Sequence, residues 1–124
     1  MTYSPLALLA RGEARFTGDL PLPPGTLHAM VAVSPQAHAR FSRIDHSAAL
    51  AEPGVVAVLT AADIPGTNDI GNLFRGEPLL AVEEVHCVGE PYALVVADSA
   101  DAAWRGARKL SADWQPLPAI FDVR

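Results

Sequence analysis

Apolar residues in this chain come in short runs broken by proline and glycine. Leu27 to Val33 (Leu-His-Ala-Met-Val-Ala-Val) is apolar at odd and even positions alike, which predicts a strand mostly buried on both faces. Ser34-Pro35 ends it, because proline cannot donate to a central ladder. Ala39 to Asp45 sets Phe41 and Ile44 among Arg40, Ser42, Arg43 and Asp45, an imperfect alternation that predicts a partly exposed strand. Gly54 to Thr60 is rich in valine and predicts the clearest strand of all. Val85 to Val88 predicts a short strand, Gly89 a turn, and Pro91 to Ala97, apolar along its length, a buried strand. Ser111 to Trp114 predicts a last strand, and Pro116-Leu117-Pro118 ends the regular structure.

Helical spacing appears in two places. Ala100 to Leu110, capped by Asp98 or Ser99, aligns Ala103, Ala107 and Leu110 on one stripe with Trp104 beside it. Asp98 and Asp101 stand at its start and Arg105, Arg108 and Lys109 toward its end, the order that complements the helix dipole. A shorter helix, Ser47 to Ala51, is capped by Asp45 or Ser47 and stopped by Pro53-Gly54, and its alanines predict close packing on a sheet. Thr60 caps one further turn, Ala61 to Asp63. Leu20 to Gly25 is held extended by its prolines. Residues 1–11 show no periodicity and read as a linker or disordered start, leaving 12–124 as one domain. Strand, strand, helix, strand, strand, helix with long loops predicts an α+β fold.

A chain of 124 residues, half of them hydrophobic, suffices for one core. The net charge of −5 and a single lysine, Lys109, argue against nucleic-acid binding. Lys109 also lies in the predicted helix, which disfavours a lipoyl- or biotin-type carrier. Cys87 is the only cysteine, so no intramolecular disulfide can form, and a reducing, cytoplasmic setting is the simpler expectation. No apolar run approaches the roughly 18 residues of a membrane span.

Candidate chemistry is sparse. Gly66-Thr-Asn-Asp-Ile-Gly71 has the glycine spacing of a phosphate loop, but Asn72 and Leu73 stand where that loop needs its Lys and its Ser or Thr. A turn-rich loop is the better reading. The histidines at 28, 38, 46 and 86 lack metal-ligand spacing, and no metal site is expected. Nothing local activates Cys87, which reads as a buried small hydrophobe. Glu83, Glu84 and Glu90 read as solvated carboxylates with no evident partner. Leu73 and Phe74 differ, because two large apolar residues in a loop from Gly66 to Pro78 must cover the core, meet another domain or line a pocket.

Gly12-Glu-Ala-Arg-Phe-Thr-Gly-Asp19, Pro24-Gly-Thr-Leu-His28, Ser34-Pro-Gln-Ala-His-Ala-Arg40, Pro53-Gly-Val-Val-Ala-Val-Leu-Thr60, Ala62-Asp-Ile-Pro65, Val88-Gly-Glu-Pro91, Leu94-Val-Val-Ala97 and Pro116-Leu-Pro-Ala119 follow in fixed order. Together they resemble the N-terminal α/β hammerhead domain of the molybdenum-binding large subunit of xanthine dehydrogenases and aldehyde oxidases. The resemblance runs from about Gly12 to Asp122 and implies small β-layers with flanking helices. It also implies a non-catalytic domain that packs on C-terminal molybdopterin-binding domains of the same subunit. Iron–sulfur clusters and FAD would lie on partner subunits or domains. The parent reaction it implies is oxidative hydroxylation of a purine (xanthine or hypoxanthine) or an aldehyde, with water as the oxygen source. The cofactor ligands and the general base of that family lie beyond Arg124, so this chain alone is expected to be inactive. Asn72-Leu73-Phe74 matches the position from which xanthine-oxidising relatives line the substrate channel, which implies that role for Leu73 and Phe74. The family's usual Val-Gly-Gln-Pro turn reads Val88-Gly89-Glu90-Pro91 here, so a buried Glu90 would need a partner. A free-standing binding or assembly module with the same fold is the alternative.

Overall fold

A computed structural model describes residues 5–122. Its frame is two three-stranded antiparallel sheets. The first has the order β1 (His28–Val33), β5 (Pro91–Ala97), β3 (Val55–Thr60), and the second β4 (Glu84–Val85), β2 (Ala39–Asp45), β6 (Ser111–Pro116). The α+β expectation therefore holds, with the strands sorted into two small layers.

The core forms where the layers meet. Phe41 of β2, Tyr92 of β5 and Trp114 of β6 pack as an aromatic triangle with ring centroids 5.2 to 6.0 Å apart. Ala32, Ala93, Val95 and Leu110 surround it, with Val58 against the same cluster. Aromatic edges against faces at this spacing add to the burial of large apolar area. Tyr92 lies so deep that burial pushes its hydroxyl pKa up.

Helix α3 (Ala100–Lys109) covers the rest of the same face of the first sheet. The Ser99 side chain accepts from the Ala102 N–H, as its capping role predicts. The buried stripe includes Ala102, Ala103 and Gly106, with Ala107 and Leu110 against the main core. Gly106 is needed there: a Cβ would sit 2.8 Å from Val55 Cγ2 and 2.9 Å from Val95 Cγ1. Helix α2 (Ser47–Leu50) packs Ala49 into the core, and Asp45, in front of it, accepts from the Ser47 N–H. Between α2 and β3, Glu52 is only 8% exposed, and its carboxylate accepts from Arg105 Nε at 2.6 Å and from Lys109 Nζ. Those two bonds, Lys109 foremost, hold its pKa below the ordinary value and tie α2 to α3.

Several expectations change. Residues Pro5–Ala10 form a helix, α1, where the sequence suggested only a linker, while Met1 to Ser4 lie outside the described residues. Leu6 and Leu9 of α1 are exposed. A short 3-10 turn, Thr17–Asp19, is held by Asp19 accepting from the Phe16 N–H. The short strand ends at Val85, because the His86 N–H donates to the Glu90 carboxylate and the chain turns through Gly89, φ 92°. Cys87 consequently falls in that turn and is exposed, contrary to the buried reading. Glu84 and Glu90 both have partners: Glu84 accepts from His38 and Arg40, and Glu90 from His86. Glu90 thus finds its partner inside this domain.

The largest difference concerns β1. Met30 and Ala32 point inward, yet Val31 and Val33 are 45% and 47% exposed. The strand is apolar on both faces, as its sequence says, but only one face is covered.

Candidate functional site

Register defines the uncovered surface. Across the first sheet Val31 lies opposite Leu94 and Leu59, and Ala29 opposite Val96 and Ala57. Residues directly opposite share a face, so these side chains form one apolar layer. The next row, Met30, Val95 and Val58, faces the core. No charged residue stands in the outer layer. A sheet with one wet face ordinarily alternates apolar and polar residues, and this one does not.

The second feature is the connection between β3 and β4, which has no regular element after the 3-10 turn Ala61–Asp63. Hydrogen bonds from its own side chains fix its shape. Asn68 Nδ2 donates to the Leu80 carbonyl at 2.7 Å, and the Leu80 N–H donates back to Asn68 Oδ1 at 3.0 Å. The Asp69 carboxylate accepts from the N–H groups of Gly71 and Gly76, both at 3.0 Å, and the Ile70 N–H donates to the Glu77 carbonyl at 2.9 Å. The Gly71 bond first, then those of Gly76 and Glu77, hold the Asp69 carboxyl below its ordinary value. Gly71 cannot be replaced without moving the loop, since a Cβ there would lie 1.9 Å from the Phe74 carbonyl oxygen.

This closed loop carries Leu73 and Phe74 at its tip, 88% and 82% exposed. They do not cover this chain's core, which removes one of the three roles open to them. Asn68 and Asp69 were not singled out by sequence reasoning. The signal was present, because Asn or Asp ahead of glycine favours side-chain-to-backbone turns. The same carboxylate argues against phosphate at the Gly66–Gly71 segment, since it occupies the N–H groups an anion would use and adds like charge.

His38, Arg40, Glu84 and His86 converge on the second sheet. Glu84 Oε1 is 2.9 Å from His38 Nε2 and Glu84 Oε2 is 3.0 Å from Arg40 Nε. No local pattern announces this grouping, which joins residues 46 and 44 positions apart. Among the described residues no three His, Cys, Asp or Glu side chains are placed to hold a metal ion. One thiol, Cys87, also falls short of the four thiolates an iron–sulfur cluster usually takes. The described residues therefore do not fit an iron–sulfur cluster. No described helix is long and apolar enough to cross a membrane.

Known proteins supply the context for the open face and the loop. The family model for the aldehyde oxidase and xanthine dehydrogenase a/b hammerhead domain matches residues 11–118. Xanthine dehydrogenase 2 of Arabidopsis thaliana is 43% identical over 113 residues, which is 91% of this chain and 8% of that protein. Aldehyde oxidase 2 of Macaca fascicularis is 43% identical over 116 residues, 93% of this chain and 8% of that protein. The crystal structure of the aldehyde oxidoreductase from Desulfovibrio desulfuricans superposes with a TM-score of 0.84 at 33% identity, covering 90% of this chain and 14% of that one. The chain thus spans less than a tenth of the length of these two relatives. With the family model matching most of its length, the chain belongs to the aldehyde oxidase and xanthine dehydrogenase family, as an a/b hammerhead domain.

Proposed function

We propose that this chain, over residues 12–124, is the non-catalytic N-terminal hammerhead domain of a cytoplasmic molybdenum hydroxylase large subunit, and that it lines the substrate channel with Leu73 and Phe74. The observation that carries this reading is the stapled loop. Asn68, Asp69 and Gly71 hold its backbone, while its two largest apolar side chains point out of the domain. A loop built only to connect β3 to β4 has no use for that arrangement, because exposed Leu and Phe gain nothing until another surface covers them. The open face of the first sheet supports the same reading. Its apolar layer is a packing surface for the molybdopterin-binding domains that follow in the subunit.

In that setting this chain's residues orient and exclude; they do not react. Leu73 and Phe74 supply an apolar wall that favours flat, apolar substrate surfaces and keeps water out. The parent chemistry, hydroxylation of a purine or an aldehyde with oxygen from water, uses molybdopterin, iron–sulfur clusters and FAD held elsewhere in the enzyme. The test is Phe74→Ala in the intact enzyme. Specificity between a bulky heteroaromatic and a small aldehyde should change by about tenfold, of the order that losing a few buried methylenes brings, with molybdenum, iron and flavin content unchanged. Equal kcat/KM ratios across such a panel would overturn the channel role.

A further inference from the structure

The chain leaves the second sheet past His38, whose ring lies between two acceptors. His38 Nδ1 is 2.9 Å from the Pro118 carbonyl oxygen, and Nε2 is 2.9 Å from Glu84 Oε1. A carbonyl and an ionised carboxylate only accept, so both ring nitrogens must donate, and only the imidazolium has two N–H groups. Glu84 is kept ionised, since its bonds from His38 and then Arg40 hold its carboxyl below the ordinary value. The Pro118 carbonyl and then Glu84 raise the His38 pKa in turn, opposed by desolvation and, more weakly, by Arg40. The charged and titratable groups facing the ring are Glu84 of β4, Arg40 of β2, and His86. The His86 ring stacks on His38 at 5.8 Å, with its Nε2 3.7 Å from Glu84 Oε1 and its Nδ1 3.7 Å from Glu90 Oε2. The exit segment is held here a second time, by the Leu117 N–H donating to the His38 carbonyl at 2.9 Å.

We propose that His38 is a pH-operated clasp on the exit segment 117–121, closed while its imidazolium bridges Pro118 to Glu84 and opened when it releases a proton to water. The neutral ring keeps a single N–H. Glu84 is the stronger acceptor because it is charged, so the proton stays on Nε2 and a lone pair on Nδ1 faces the Pro118 carbonyl. Repulsion then frees Pro118. Beside it lies a groove of about 500 Å³ that His38, His86, Cys87 and Val88 form with Pro118 and Phe121, and this groove widens. The sign follows from the raised folded pKa. The clasp is fully made below the ordinary histidine value of about 6.5 and is lost as pH rises through the folded value. In a longer subunit this segment leads to whatever follows the domain, so the clasp would set how firmly that connection is anchored.

The test is hydrogen exchange read by mass spectrometry on the protein in its native assembly, from about pH 5.5 to about pH 8.5, a window spanning histidine titration. Rates are normalised to intrinsic exchange, and a peptide covering Pro91–Ala97 reports the fold. Protection of a peptide spanning Trp114–Phe121, which keeps the Leu117 amide internal, should fall several-fold as pH rises, and in His38→Gln, which does not titrate, it should be flat. Glu84→Gln removes the carboxylate and should move the loss to lower pH. Flat protection in the unaltered protein, an equal pH dependence in His38→Gln, or an unmoved transition in Glu84→Gln would each overturn the clasp.

Discussion

The two faces of the β1–β5–β3 sheet have nearly the same composition and opposite fates. Met30, Val95 and Val58 face the core, while Val31, Leu94 and Leu59, one residue along each strand, face outward, with Val31 and Leu59 exposed and Leu94 half-buried. Hydrophobicity therefore specifies burial without specifying the cover. A strand that is apolar on both faces predicts that both will be dry, and the fold leaves Val31 and Val33 of one face exposed among the described residues. The tip of the stapled loop repeats the lesson in miniature, since Leu73 and Phe74 are as apolar as core residues and stand out in solvent.

Placing the same substitution on each face separates local from external burial. Val95→Thr puts an unpaired hydroxyl at a fully buried position and should cost about 1–3 kcal/mol in denaturant unfolding, the penalty for a buried group without a partner. The loop comes next. Asp69→Asn removes an acceptor shared by several backbone N–H groups and should raise hydrogen exchange at Gly71 and Gly76 several-fold, with the unfolding midpoint little changed. Acid should do the same to the unaltered protein. The folded Asp69 pKa is depressed, so its contribution is present above the ordinary aspartate value and is lost as pH falls through the folded one. Loop exchange that stays flat down to that range would show that other contacts hold the tip. The smallest effect belongs to the outer face. Val31→Thr keeps the β-branched shape at a half-exposed site and should shift the stability of this chain by less than about 0.5 kcal/mol. A cost equal to that of Val95→Thr would show that the two faces do not differ.

Much of this fold was legible from local chemistry. The Ser99 cap and the small residues of α3, the strand limits of β2 and β5, and the Thr60 turn all follow from signals within a few residues of where they act. What escaped depended on distance along the chain. Cys87 reads as buried until the Glu90 carboxylate draws the His86 N–H into a turn. The grouping of His38 and Arg40 with Glu84 needs the β2–β4 pairing, Arg40 opposite Glu84, which no local pattern announces. Leu73 and Phe74 could be picked out as anomalous, and their loop could have been read as ordered from Asn68 and Asp69. One-sided cover of β1 was not legible, because the same valines are written whether their cover is a helix of this domain or the surface of another.

On the proposed reading, the rest of a longer subunit buries this chain's uncovered apolar surface. Carbene footprinting, which labels side chains by solvent contact, tests it directly when the 124-residue chain and the intact enzyme are labelled side by side. Val31, Val33, Leu73 and Phe74 should label readily in the chain alone and lose most of that labelling in the enzyme, with Val95 unlabelled in both. Equal labelling of Val31 and Val33 in the two samples would show that the rest of the subunit does not cover this face.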